Sequence, residues 1–334
     1  MRHIEEERVA RRRAGRGARA GLAALAAAAL FGGVAACGAD AAPASRVAAS
    51  QSAAPAAPAA PAAVRQGEVR EQLRKLEASY KGRIGMYAVD TGTGAKVAYR
   101  ERERFPMLST FKAVAAAGAL DKARRTDPGL MERRVYWKAE EEVDYSPRTE
   151  GKGEEGMTVA ELCEAAITYS DNTAGNMVLK QLGGPAGLTR YFRSLGDPVS
   201  RLDRWETDLN IWAPGEKRDT TMPAFIGRDL QRLTTGDALA KPDQARLNGW
   251  LKANTTGDKR IRAGLPGWTV GDKTGTANDS YGSANDIAIA WPPSGGAPIV
   301  IAIYTGRNDP GVASDDSVLA RTATIAARGL GKMS

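Results

Sequence analysis

The chain has 334 residues, enough for one large core or two small ones, and 43% of them are hydrophobic, which excludes a disordered chain. Its formal charge of +8 gathers at the start: the first 36 residues hold seven Arg and three Glu, and removing these from the 47 basic and 39 acidic residues leaves 40 against 36. So mild an excess, with no basic run interleaved with aromatics, gives nucleic-acid binding little support, and a lone histidine at position 3 excludes a Ser-His-Asp triad or a histidine-ligated zinc from the rest of the chain.

Residues 1–20 are Arg-rich and 21–36 form a short, Ala-rich apolar run, the pattern of a signal peptide over 1–36. "VAAC" at 34–37 resembles a lipoprotein signal, which predicts lipid on Cys37; ordinary cleavage near the same alanines is the alternative. Arg11–Arg13 leaves the export route open between the general and the twin-arginine pathways. The protein is thus expected to be exported, as a lipoprotein on the outer face of the membrane or as a secreted form. Residues 37–65, rich in Ala, Pro and "AAP" repeats, bury almost nothing and read as an extended tether.

The folded domain is expected over 66–331. Residues 68–80 carry Val69, Leu73 and Leu76 on one helical face. Strands are predicted over 83–90 and 95–101, joined by the turn Thr91-Gly92-Thr93-Gly94. From 109 to 252 the pattern is helical, with Thr158 and Glu161 forming a capping box. Three more β-rich segments, 268–276, 285–292 and 298–306, precede a last helix over 314–329. The fold class is therefore α/β. A five-stranded, largely antiparallel sheet is made from both chain ends (about 66–104 and 253–331), flanked by helices, with an all-helical part of about 105–252 inserted. Of the two cysteines one ends the leader, so no structural disulfide is expected.

Three short motifs carry chemistry. Ser109 and Lys112, three apart, share one face if Ser109 opens a helix, and an ammonium or amine beside a hydroxyl activates it. Ser170-Asp171-Asn172 offers a hydroxyl to hand a proton to a leaving nitrogen and an amide to hold a carbonyl, though helix capping explains Ser and Asp equally well. Lys273-Thr274-Gly275, followed by Thr276, supplies a cation and hydroxyls for a carboxylate and an N–H for an oxyanion, or is simply a polar edge strand. Each alone is weak. In this order they form the signature of the serine-lysine penicillin-recognising acyltransferases, which this chain resembles.

"RLDRWETDLN" at 201–210 and "RDTTMP" at 218–223 resemble the omega loop of class A serine β-lactamases of the actinobacterial type, and the likeness spans about 66–331. The resemblance implies Ser109 as nucleophile and Lys112, or Glu206 through a water, as proton acceptor. It implies Ser170 as proton donor to the leaving nitrogen, and Glu206 with Asn210 as holders of a hydrolytic water. Arg204 paired with Asp219, and Asn176, would brace the loop, whose Glu206–Thr207 peptide would be cis. Tyr145 resembles the aromatic gate. Asn172 binds substrate; Lys273, Thr274, Gly275 and Thr276 line the carboxylate site, with Arg260 replacing an Arg that other members carry where this chain has Ala284. Cys163 faces Ala116 where many members have a second cysteine, so it should be a free core thiol. The connection 276–284 looks longer than usual. A monomer acting on a small-molecule β-lactam, with no cofactor or metal and no membrane contact beyond lipid on Cys37, is what the likeness implies, with resistance as its consequence. A cell-wall D-alanyl-D-alanine peptidase or an acylated antibiotic sensor would share the three motifs, but neither needs Glu206.

Overall fold

A computed structural model describes residues 62–277 and 281–334. The signal peptide, Cys37 and most of the tether lie outside the described residues. Helix α1 runs over Ala62–Tyr80, so this helix starts four residues before the expected Gln66. Gln66 explains part of this: its side-chain amide pairs both ways with the Ala98 backbone, at 2.7 and 3.0 Å.

The chain continues through β1 (Gly82–Asp90), β2 (Lys96–Tyr99), β3 (Phe105–Pro106), α2 (Phe111–Arg125), β4 (Arg134–Val135), β5 (Met157–Thr158), α3 (Val159–Thr168), α4 (Asn172–Leu182) and α5 (Gly184–Ser194). Then follow β6 (Thr220–Thr221), α6 (Pro223–Thr234), α7 (Lys241–Lys252), α8 (Ile261–Gly264), β7 (Thr269–Ala277), β8 (Ser283–Trp291), β9 (Ile299–Arg307) and α9 (Asp316–Gly329). Strands β1, β2, β7, β8 and β9 form the five-stranded sheet in the order β2-β1-β9-β8-β7, every neighbour antiparallel. The helical stretch also contains two-residue bridges, β3 with β6 and β4 with β5, too short to leave an alternating pattern in the sequence.

Helices cover both faces of the sheet, which is why its central strands β1, β9 and β8 are largely apolar on both sides. Side chains alternate across a strand. On β9, Ile299, Ile301 and Ile303 enter a core shared with Val69, Leu73 and Leu319 of α1 and α9, whereas Val300, Ala302 and Tyr304 enter a second core with α2, α3 and α6. Strand β7 is left at the edge, beside the start of α2. The capping box forms as expected: Thr158 Oγ1 accepts from the Glu161 N–H at 3.2 Å and Glu161 Oε2 accepts from the Thr158 N–H at 2.7 Å. Cys163 is a buried free thiol, its pKa pushed up to about 12 by burial.

Candidate active site

Ser109 sits in a single 3₁₀ turn, Leu108–Thr110, that runs straight into α2. The turn is pinned from below. Thr110 Oγ1 donates to Met107 O at 2.6 Å and meets Tyr304 Oη at 2.9 Å, and the Met107 N–H donates to Asp219 O at 2.7 Å. Leu108 is held at a φ of 50°, in the left-handed region that costs a side chain energy. Strand β7 lies against this turn, where a Cβ on Gly275 would come within 2.9 Å of Leu108 Cβ and 3.1 Å of Ser109 N; glycine permits that approach.

One helical turn on, Lys112 Nζ lies 2.9 Å from Ser109 Oγ, 2.8 Å from Ser170 O, 2.6 Å from Asn172 Oδ1 and 2.9 Å from Glu206 Oε1. Four oxygens thus surround a group with three N–H bonds. Burial lowers the Lys112 pKa, and the Glu206 carboxylate opposes that shift. Ser109 Oγ also donates to Glu206 Oε1, at 3.1 Å.

The omega loop brings Glu206 there and fixes it at both ends. Asn176 on α4 pairs with the Glu206 backbone, donating to its carbonyl and accepting from its N–H, each at 3.0 Å. Asn210 Nδ2 donates to Glu206 Oε2 at 2.7 Å. At the base of the loop Arg204 Nε donates to Asp219 Oδ2 at 2.6 Å, while Asp219 Oδ1 accepts the backbone N–H groups of Asp203 and Arg204. The Glu206–Thr207 peptide is cis.

Capping and chemistry divide the next motif. Asp171 is the N-cap of α4 and accepts from Ala174 N, Arg148 N, Thr149 N and Thr149 Oγ1. Ser170, at a φ of 59°, instead turns its hydroxyl to Lys273 Nζ, 2.9 Å away. Asn172 anchors its amide on Asp144 O at 2.8 Å. Lys273 is fully buried; burial first and then the nearby Lys112 hold its pKa well below the ordinary lysine value.

Arg260 is no surface residue paired with Asp258, which is instead the partner of Arg262. Its Nε donates to Asp316 at 2.7 Å, its Nη1 to the carbonyls of Gly275 and Asn285, and its Nη2 to Thr276 Oγ1 at 2.6 Å. Of five N–H bonds one remains, beside the cleft that Arg260 helps to line. Ala284, the residue opposite Thr276 on β8, is fully buried. Tyr145 is 62% exposed at the cleft mouth.

The cleft holds about 890 Å³ and is lined by Ser109, Tyr145, Ser170, Asn172, Asn210, Arg260, Thr274, Gly275 and Thr276; Lys112, Glu206 and Lys273 lie buried around it. A profile of the beta-lactamase enzyme family matches residues 68–329. The chain belongs to the class A β-lactamases. It is 56% identical over 246 residues to Beta-lactamase FAR-1 of Nocardia farcinica, covering 73% of this chain and 77% of the relative. With the carbapenem-hydrolyzing beta-lactamase KPC of Klebsiella oxytoca it shares 49% identity, over 79% of this chain and 89% of the other. Among solved structures, a beta-lactamase from Streptosporangium roseum superposes with a TM-score of 0.79 at 63% identity, covering 80% of this chain and all of that one. This β-lactamase hydrolyses the amide of β-lactam antibiotics and so confers resistance. Class A β-lactamases are generally exported. No described helix is long and apolar enough to cross a membrane.

The β-lactamase site also contains residues that motif reading missed. Thr256 Oγ1 lies 2.5 Å from Thr274 Oγ1, and both line the cleft. Asn285 Nδ2 donates to Pro106 O at 2.8 Å, tying β8 to the segment that leads into Ser109. Beneath Lys273 lie two buried carboxyls, Asp272 and Asp286, both pushed up by burial. Asn285-Asp286, a polar pair inside the otherwise apolar "SANDIAIAW", was the visible signal.

Proposed function

We propose that Ser109 Oγ attacks the lactam carbonyl. Its proton passes to Glu206 Oε1 while Lys112 is an ammonium, and to Lys112 when that group is neutral, a form its burial promotes. The N–H groups of Ser109 and Thr276 hold the oxyanion; Ser170, beside Lys273, protonates the departing nitrogen. Lys273, Thr274, Gly275, Thr276 and Arg260 receive the substrate carboxylate, Asn172 the side-chain amide, and Tyr145 closes the rim. The proton taken from Ser109 passes on through Lys112 to Ser170, which replaces the one given to the nitrogen and leaves Glu206 a carboxylate. Glu206, with Asn210, then takes a proton from the water that splits the ester, and that proton returns to Ser109 Oγ as the product leaves. The observation that carries this reading is the meeting of Ser109 Oγ, Lys112 Nζ and Glu206 Oε1 within 3.1 Å of one another.

The α/β part (62–104 and 253–331) and the helical part (105–252) are in this reading one catalytic domain with its site at their junction, working as a monomer. Ser109→Ala tests the assignment: nitrocefin turnover disappears, and turnover near the wild-type rate would refute it. The leader over 1–36 and the tether that follows point to export with lipid on Cys37. Cys37→Ser then moves the protein from the membrane fraction to the medium; unchanged membrane association would rule lipid out.

A further inference from the structure

A second cavity, of about 430 Å³, opens between the omega loop and the end of the sheet near Ser283 and Arg307. One wall is aromatic. Phe105 and Trp212 are buried, and the Arg83 guanidinium lies 4.5 Å from the Phe105 ring centre and 5.8 Å from that of Trp212. Phe105 itself is fully buried, so the group open to the cavity is the partly exposed Arg83 guanidinium, a planar cation on which an aromatic ring can stack.

The rest of the lining is positively charged in excess. Arg104 donates only to Val199 O and Thr220 Oγ1, and Arg307 only to Ala313 O and Tyr80 O; neither guanidinium meets a carboxylate among the described residues. Lys217 is exposed at the rim and likewise has no carboxylate partner among them. The two acids on the wall are already engaged, Glu103 by Arg83 and Arg100 and Glu216 by Arg218. Cations that meet no carboxylate among the described residues, beside an aromatic wall, suit a small anion with a ring.

This cavity has no lining residue in common with the catalytic cleft, but two chain segments run from one to the other. Trp212 follows Ile211, which lines the cleft and whose carbonyl accepts from Arg204 Nη2 at 2.8 Å, and two residues before Trp212 is Asn210, the partner of Glu206. On the other side Phe105-Pro106 leads into the Ser109 turn.

We propose that this cavity is a second ligand site, taking a small aromatic carboxylate or sulfonate, and that its occupancy acts on the omega loop and through it on deacylation. The effect on turnover rests on the assignment of Glu206 as water activator; the binding itself does not.

The probe is 2-naphthoate, titrated calorimetrically into the wild type and into Lys217→Glu, with nitrocefin kinetics over the same concentrations. The exposed Lys217 side chain makes no hydrogen bond or ion pair among the described residues, so the reversal chiefly changes charge. The site predicts saturable 1:1 binding in the millimolar range or tighter, weakened about fivefold or more by Lys217→Glu. Because kcat/KM of an acyl-enzyme reaction does not contain the deacylation step, naphthoate should move kcat and KM together and leave kcat/KM unchanged. Absence of saturable binding overturns the proposal. So does equal affinity in both proteins with KM alone rising, since naphthoate is then competing in the cleft. Loss of the Glu206 assignment would leave the calorimetric result intact, which separates the two failures.

Discussion

Lys112 Nζ and Glu206 Oε1 lie 2.9 Å apart with neither side chain exposed to solvent. Two opposite charges so placed stabilise each other, and removing one leaves the other buried without its partner. Lys112→Met should therefore cost about 3–5 kcal/mol in denaturant unfolding, and the double variant with Glu206→Gln should recover part of that loss. A single variant as stable as the wild type would mean the pair is not buried as described.

Lys273 carries a pH signature. Its folded pKa lies well below the ordinary value of 10.5 because burial, and then Lys112, penalise the ammonium. Between those two values the unfolded chain binds more protons than the folded one, so stability rises with pH. Relative to Lys273→Met, the wild type should gain up to about 1.4 kcal/mol per pH unit across that window and gain nothing below it. Urea unfolding of both proteins at pH 7 and pH 10 measures the difference. A difference that shrinks as pH rises would contradict the burial argument.

Arg260 is held by Asp316 and by the carbonyls of Gly275 and Asn285, so its guanidinium cannot swing away from Thr276 without leaving those acceptors unpaired. Lysine keeps the charge but not the fork. Arg260→Lys should raise KM for penicillins about tenfold or more with a smaller effect on kcat, the pattern of binding lost equally from ground and transition states. Unchanged kcat/KM would remove Arg260 from the carboxylate site.

Much of this was legible in the sequence because it rests on local pattern. The β-branched runs announced β1, β7, β8 and β9 to within about two residues, as expected for strands buried on both faces. The spacing placed Ser109 beside Lys112, and the family resemblance placed Ser170 near Lys273. What escaped depends on contacts between distant segments. The Ala-rich start of α1 reads as tether until Gln66 is seen paired with Ala98. The depth of Arg260 is set by acceptors on β7, β8 and α9 that no spacing reveals. The second cavity draws its walls from five separate stretches between Arg83 and Asn308, each unremarkable alone.

The most direct test of the whole account is the lifetime of the acyl-enzyme. A carboxylate that takes the proton of an attacking water typically contributes about 10²–10⁴-fold. Glu206→Ala mixed with benzylpenicillin and followed by intact mass should hold a long-lived penicilloyl adduct on Ser109, while the wild type under the same conditions shows none. A wild type that keeps the same adduct for hours, or a variant that clears it as fast as the wild type, would contradict the central claim that Glu206 drives deacylation.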